Sequence, residues 1–195
     1  KEWVEKAEQN RWIIPKARFG IFPAQADGDE VVFYESEKKE KELGRFNFDL
    51  CIGKGRKDKF SIGQYFHSVE SGQLDAIGLQ ITTAGIGVEA GIKSLKDQND
   101  SESALYLQGL SDRVAEDMAE YIHQLLRTRA GYKKENRGQR YSPGYPALTN
   151  LKGNSIIWDA LGAEDLGVTL TDANEFYPPS TTAAVICFHK DASYS

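Results

Sequence analysis

Two cysteines, Cys51 and Cys187, are all that this chain of 195 residues contains. They form no pair at metal-ligand spacing, and two cysteines in a chain this size give no disulfide framework. A reducing cytoplasm is the expected compartment. Histidine is nearly as scarce. His67, His123 and His189 are scattered, and none stands beside a serine or cysteine in a nucleophile-elbow context. Hydrolytic chemistry and a zinc site both lack their residues, and each histidine reads as a surface or hydrogen-bonding side chain. No run approaches the roughly 18 apolar residues of a membrane helix, and no charged-then-apolar signal opens the chain. Positive charge is not in excess. The formal net charge of −5 argues against nucleic acid, whose phosphates call for a basic face. Gly85, Gly87 and Gly91 lack both the phosphate-loop lysine and the strand-to-helix context of a dinucleotide fold, so they read as a turn into a helix.

What is present suits one globular domain, or a large piece of one, over residues 1–195. There is no internal repeat and no domain boundary. Lys1 stands inside a helical pattern, so the chain reads as a fragment of a longer protein. Trp3, Val4, Ala7 and Trp12 recur at helical spacing over residues 1–14, which Pro15 stops. Residues 18–24 and Val31–Tyr34, joined by Asp27-Gly28-Asp29, form an expected hairpin. The charge run 35–42 reads as solvated loop or frayed helix. Residues 46–52 read as a strand, and 60–71 as mixed sequence with room for a short helix. Asp75–Thr83 reads as a central strand despite a few polar interruptions.

The clearest helix covers 103–129. Leu107, Leu110, Val114, Met118, Tyr121, Ile122 and Leu125 define its expected core face, with Asp112, Glu116 and His123 on another. Residues 130–154 read as loop. Asn154 or Ser155 is the expected cap of a helix ending before Gly162, and Ala183–Phe188 reads as a buried strand. Without regular βαβ alternation, the class is α+β, with a twisted, largely antiparallel sheet covered by helices.

The run Arg137-Gly138-Gln139-Arg140-Tyr141-Ser142-Pro143-Gly144-Tyr145-Pro146 has the composition of a backbone cradle. Its glycines let the main chain turn or approach a ligand, and its prolines stiffen it. Arg140 offers a planar donor fork and Tyr145 an amphipathic ring. That suits a polar small molecule carrying a carboxylate and an aromatic base; a rigid surface turn has the same composition. Asp112 and Glu116 fit either a site or a solvated helix face. The basic cluster Lys54, Arg56, Lys57 and Lys59 reads as a solvated loop or as a docking patch for an acidic redox protein.

The Arg-x-x-x-Gly-Tyr of this run resembles the S-adenosylmethionine (AdoMet) loop in the activation domain of cobalamin-dependent methionine synthase. Phe19-Gly20-Ile21-Phe22-Pro23-Ala24 with Gly28–Tyr34, Asp75-Ala76-Ile77-Gly78 to Gly85, and Leu110–Glu116 with Ala119–His123 are similar to that domain's successive elements. Leu170-Thr171, Pro178 and His189-Lys190-Asp191 follow in the same order.

The resemblance implies AdoMet as the bound cofactor, with Arg140, Ser142, Gly144, Tyr145, Tyr194, Ser195, Glu116 and Asp112 around it. It implies no catalytic side chain and no metal ligand of this chain's own, and a cobalamin held by another module, in cis or in trans. A flavodoxin-like or other flavoprotein is the implied electron donor. Together, electron and AdoMet methyl would restore methylcobalamin from inactive cob(II)alamin. The chain departs from the family pattern at Tyr141-Ser142, where Pro-Ala is typical, and at Ser195, where a second tyrosine is. The family's upstream Asp-Trp segment precedes the first residue here. The alternative is an AdoMet- or nucleoside-binding scaffold, or an interaction domain, without turnover of its own.

Overall fold

Ile77, Leu79 and Ile81 alternate with Gly78, Gln80 and Thr82 along the strand Asp75–Thr83, and this alternation organises the molecule. The computed structural model describes residues 2–52, 59–132 and 137–193. In chain order the elements are α1 (Glu2–Gln9), β1 (Lys16–Asp27), β2 (Glu30–Tyr34), β3 (Glu42–Asn47), β4 (Asp75–Thr83), α2 (Gly87–Asp97), α3 (Ser101–Arg129), β5 (Gln139–Tyr141), α4 (Lys152–Leu161), β6 (Thr169–Leu170), β7 (Phe176–Tyr177) and β8 (Thr181–Cys187). Six of the strands form one sheet in the order β3-β2-β1-β4-β8-β5, with every neighbouring pair antiparallel. β6 and β7 make a separate two-stranded hairpin. The class is α+β, as the irregular alternation of elements implies.

On one face of β4, Ile77, Leu79 and Ile81 are fully buried in the main core, with Phe33, Phe46, Val185 and Ile157 of α4. On the other face lies α3. The polar interruptions of β4 point there, and each has a partner: Gln80 Nε2 donates to Ala119 O at 3.2 Å, and Thr82 Oγ1 to Ala115 O at 3.1 Å. The donors of these central-strand side chains are thus satisfied on helix carbonyls, while Gln80 Oε1 is buried with no hydrogen-bond partner among the described residues. A second cluster joins α1 and α2 to the first half of α3, and a third joins the last turns of α3 to Ile186 and Phe188.

Packing shifts the buried face of α3 from the one its large apolar residues suggest. The buried positions are Ala104, Leu107, Ser111, Ala115, Ala119, Ile122, His123 and Leu126. Small residues sit against the sheet and let the helix approach closely. Leu110, Val114, Met118 and Leu125 are only partly buried, and Tyr121 is 62% exposed. His123 is a correction too: it leaves the face of Asp112 and Glu116 and lies inside, 4% exposed.

Other boundaries move for local reasons. α1 stops at Gln9, and Trp12 folds back onto α2, where a Cβ at Gly91 would lie 2.7 Å from the indole. β3 begins inside the charge run, at Glu42, and ends at Asn47 rather than running through residue 52. Two short 3-10 turns, Ile62–Tyr65 and Val69–Ser71, occupy the 60–71 stretch. α4 starts at Lys152, whose N–H bonds to Asn150 Oδ1 at 2.9 Å. Asn154 and Ser155 are therefore inside the helix and do not cap it. Gly162 ends it in the left-handed region, as expected.

Candidate functional site

The run 137–146 is only partly loop. Gln139–Tyr141 pairs along β8 as an edge strand, with Arg140 opposite Ile186 and Tyr141 opposite Val185. Strand alternation then separates the two side chains. Tyr141 is buried in the main core and donates its hydroxyl hydrogen to Ser193 O at 2.9 Å. Arg140 takes the α3 side, where its Nη2 lies 3.6 Å from Glu120 Oε2 and 3.9 Å from Glu116 Oε2.

Beyond β5 the chain turns sharply. Tyr145 N–H donates to Ser142 O, Gly144 N–H to Leu148 O and Leu148 N–H to Tyr145 O. Gly144 holds φ at +91°, a conformation that side chains rarely adopt. Pro143 packs on α4, where a Cβ at Gly153 would meet Pro143 Cγ at 2.8 Å.

This turn forms one rim of an open cleft of about 420 Å³. Glu116 enters from α3, Ser142 and Tyr145 from the turn, Asn154 from α4, Glu175 and Phe176 from the β6–β7 hairpin, and Pro179, Thr181 and Thr182 from the start of β8. Of the residues expected at the site, Glu116, Ser142 and Tyr145 line this cleft together. Arg140 is joined to it through its ion pair with Glu116, and Gly144 shapes the turn. Asp112 stands one helical turn from Glu116 and binds protein partners: its Oδ1 accepts from Ser180 Oγ at 2.7 Å and Gln108 Nε2 at 2.9 Å. Tyr194, Ser195 and, of the basic cluster, Lys54, Arg56 and Lys57 lie outside the described residues.

The cleft carries carboxylates on two walls, with a guanidinium behind one of them. That pattern complements a ligand bearing both a cation and a carboxylate. Neither cysteine lines the cleft. Both cysteines are buried, and burial pushes the Cys187 thiol up to about 12 and the Cys51 thiol upward as well. Among the described residues, no group of His, Cys, Asp and Glu could hold a metal ion. No described helix is long and apolar enough to cross a membrane.

Comparison with known proteins agrees with this architecture. The family model described as vitamin B12 dependent methionine synthase, activation domain, matches residues 1–195. The chain belongs to this family. It is 25% identical to a methionine synthase of Mycobacterium tuberculosis over 90% of its own length, and it spans 16% of that protein. A crystal structure of the MetH reactivation domain bound to AdoHcy shares the fold at a TM-score of 0.91 and 24% identity, covering 100% of this chain and 64% of that one.

In this activation domain, Asn154, Glu175, Phe176 and Thr181 are cleft residues that sequence reasoning missed. Asn154 carried a signal, but as a polar residue near a helix start it read as a cap. The structure instead has its Nδ2 donate to Asn174 O at 2.9 Å, which ties α4 to the β6–β7 hairpin.

Proposed function

We propose that this activation domain binds AdoMet in the cleft between α3, the 142–145 turn and the start of β8, and presents its methyl group to a cobalamin held by another module. One observation carries the reading: Glu116 of α3 lines a single cleft with Ser142 and Tyr145 of the distant 142–145 turn, with Arg140 behind it. Arg140 forks onto the ligand's α-carboxylate. Glu116 attracts its ammonium and sulfonium charges, more strongly as the ligand displaces water. The Tyr145 ring flanks the adenine, while Ser142 and the backbone turned by Gly144 bond its edge.

The chemistry supplied is one electron, from a flavodoxin-like or other flavoprotein donor, and one methyl cation from AdoMet, leaving S-adenosylhomocysteine. The chain's own part is positional. It holds the methyl in near-attack geometry and contributes no covalent step, so turnover needs the cobalamin module, in cis or in trans. The cytoplasm, which supplies such donors, is the proposed compartment.

Calorimetric titration with AdoMet, with S-adenosylhomocysteine alongside, tests the reading. Saturable binding that Arg140→Ala weakens supports it, and reductive methylation with a cobalamin module then follows as an assay. Absence of heat at millimolar AdoMet refutes it.

A further inference from the structure

Ser180 joins two parts of the cleft that have no covalent reason to meet. It is buried, and it stands between Pro179 and Thr181, both of which line the cleft. Its hydroxyl has one hydrogen to give. The Asp112 carboxylate, 2.7 Å away, is the strongest acceptor in reach and takes it. The lone pairs of Ser180 Oγ then receive Gln108 Nε2 at 3.2 Å, and buried Ser111 divides its one hydroxyl hydrogen between Ser180 Oγ at 2.8 Å and Gln108 O at 2.7 Å. Gln108 also donates to Asp112, which closes the network on α3.

The backbone at the same point is held from the sheet side. Ser180 O accepts from Ala84 N–H at 2.9 Å and from Thr83 Oγ1 at 3.4 Å. Thr181 Oγ1 donates to Thr83 Oγ1 at 2.9 Å. The wall from Pro179 to Thr182 is thus pinned both to α3 and to the end of β4.

We infer that Asp112 and Ser180 are a positioning pair. They fix this wall at the separation from Glu116 and Tyr145 that the ligand requires, and Asp112 acts through Ser180 rather than by touching the ligand. Glu116, one turn along the same helix, lines the cleft, whereas Asp112 does not, and its Oδ1 accepts from both Ser180 and Gln108. A hydrogen-bond network anchored on buried Ser111 and Ser180, with Asp112 at its exposed end, restrains what it holds. What the wall does rests on the AdoMet reading above; what holds the wall does not.

The test compares Asp112→Ala, Ser180→Ala and Asp112→Asn by AdoMet titration, thermal melting and amide hydrogen exchange over Thr181–Ala183. Asparagine keeps a carbonyl acceptor in the place of Oδ1 but has no charge. Both alanine variants are expected to lose about tenfold in affinity, the size of one hydrogen bond to a charged group, and to exchange faster along the wall. Asp112→Asn is expected to restore affinity and protection. If asparagine loses as much affinity as alanine while the wall exchanges as in the parent, Asp112 contacts the ligand by charge and the inference is overturned. If the parent chain binds no AdoMet, the functional reading fails, and exchange alone decides. Faster exchange in both alanine variants sustains the pinning, and unchanged exchange refutes it.

Discussion

The Arg140 guanidinium is shared between Glu120, at 3.6 Å, and Glu116, one helical turn back along α3, at 3.9 Å. Both separations exceed the 2.7–3.2 Å of a well-formed N–H···O bond. The arginine is only 20% exposed, so the two carboxylates hold its charge in place without fixing its donor fork. A ligand carboxylate that reaches the fork gains two aligned donors, while Glu116 becomes available to a cation on the same ligand.

Arg140→Ala is therefore expected to weaken AdoMet binding by roughly 1.5–3 kcal/mol, the usual loss for a charge-assisted pair. Arg140→Lys keeps the charge but not the fork and should recover only part of that. Calorimetric titration of the three proteins checks both statements, and equal affinity for all of them removes Arg140 from the site.

Glu116→Gln separates charge from shape. The substitution preserves volume and hydrogen-bonding capacity but removes the negative charge facing the cleft. Affinity for AdoMet, with its positive sulfonium, is expected to fall by about 1 kcal/mol more than affinity for the neutral thioether S-adenosylhomocysteine. The difference should shrink as salt is raised. Equal losses for the two ligands would show that Glu116 does not sense the sulfonium.

The parts of this molecule that were legible in sequence are those whose signals are local. The periodicity of 103–129, the apolar run of β4 and the glycine after α4 each locate an element. Ser142 and Tyr145, which line the cleft, and Arg140, which pairs with Glu116 beside it, fall in one short motif, so their nearness to one another was legible. β5 was not, because Gln139–Tyr141 becomes a strand only by pairing with the outer edge of β8. The buried face of α3 was misplaced because Ser111, Ala115 and Ala119 are chosen by closeness to the sheet, and size outweighs hydrophobicity there. Asn154, Glu175 and Thr181 come from three elements that meet only in the folded chain.

Two glycines should respond in opposite directions to one methyl group. At Gly144 the backbone holds φ at +91°, and a Cβ would lie 3.0 Å from Leu151 Cδ2. Gly144→Ala is expected to cost about 1–2 kcal/mol of stability and to weaken ligand binding by shifting the 142–145 turn. At Gly109, inside α3, a Cβ meets nothing within 4 Å. Gly109→Ala is expected to stabilise by about 0.5–1 kcal/mol through helix propensity alone and to leave binding unchanged. Urea midpoints and titrations of both variants check the pair.

His123 should set an acid limb in the stability of the domain. Burial, with the nearby guanidinium of Arg127, lowers its pKa to about 4 and keeps the folded imidazole neutral above that pH, and its Nε2 has no hydrogen-bond partner among the described residues. An unfolded histidine takes up its proton near pH 6.5. Between those values the unfolded chain binds more protons than the folded one, so unfolding gains ground as pH falls. The contribution is fully present above about pH 6.5 and is lost progressively toward pH 4, by on the order of 2–3 kcal/mol. His123→Leu removes both the titration and the unpaired nitrogen. Its stability at pH 7 is expected to stay within about 1 kcal/mol of the parent, and its stability between pH 6.5 and 4 should fall less steeply. Urea unfolding at half-unit pH steps gives the two curves. Parallel curves would mean that His123 is protonated alike in the folded and unfolded chains, and that the acid sensitivity lies elsewhere.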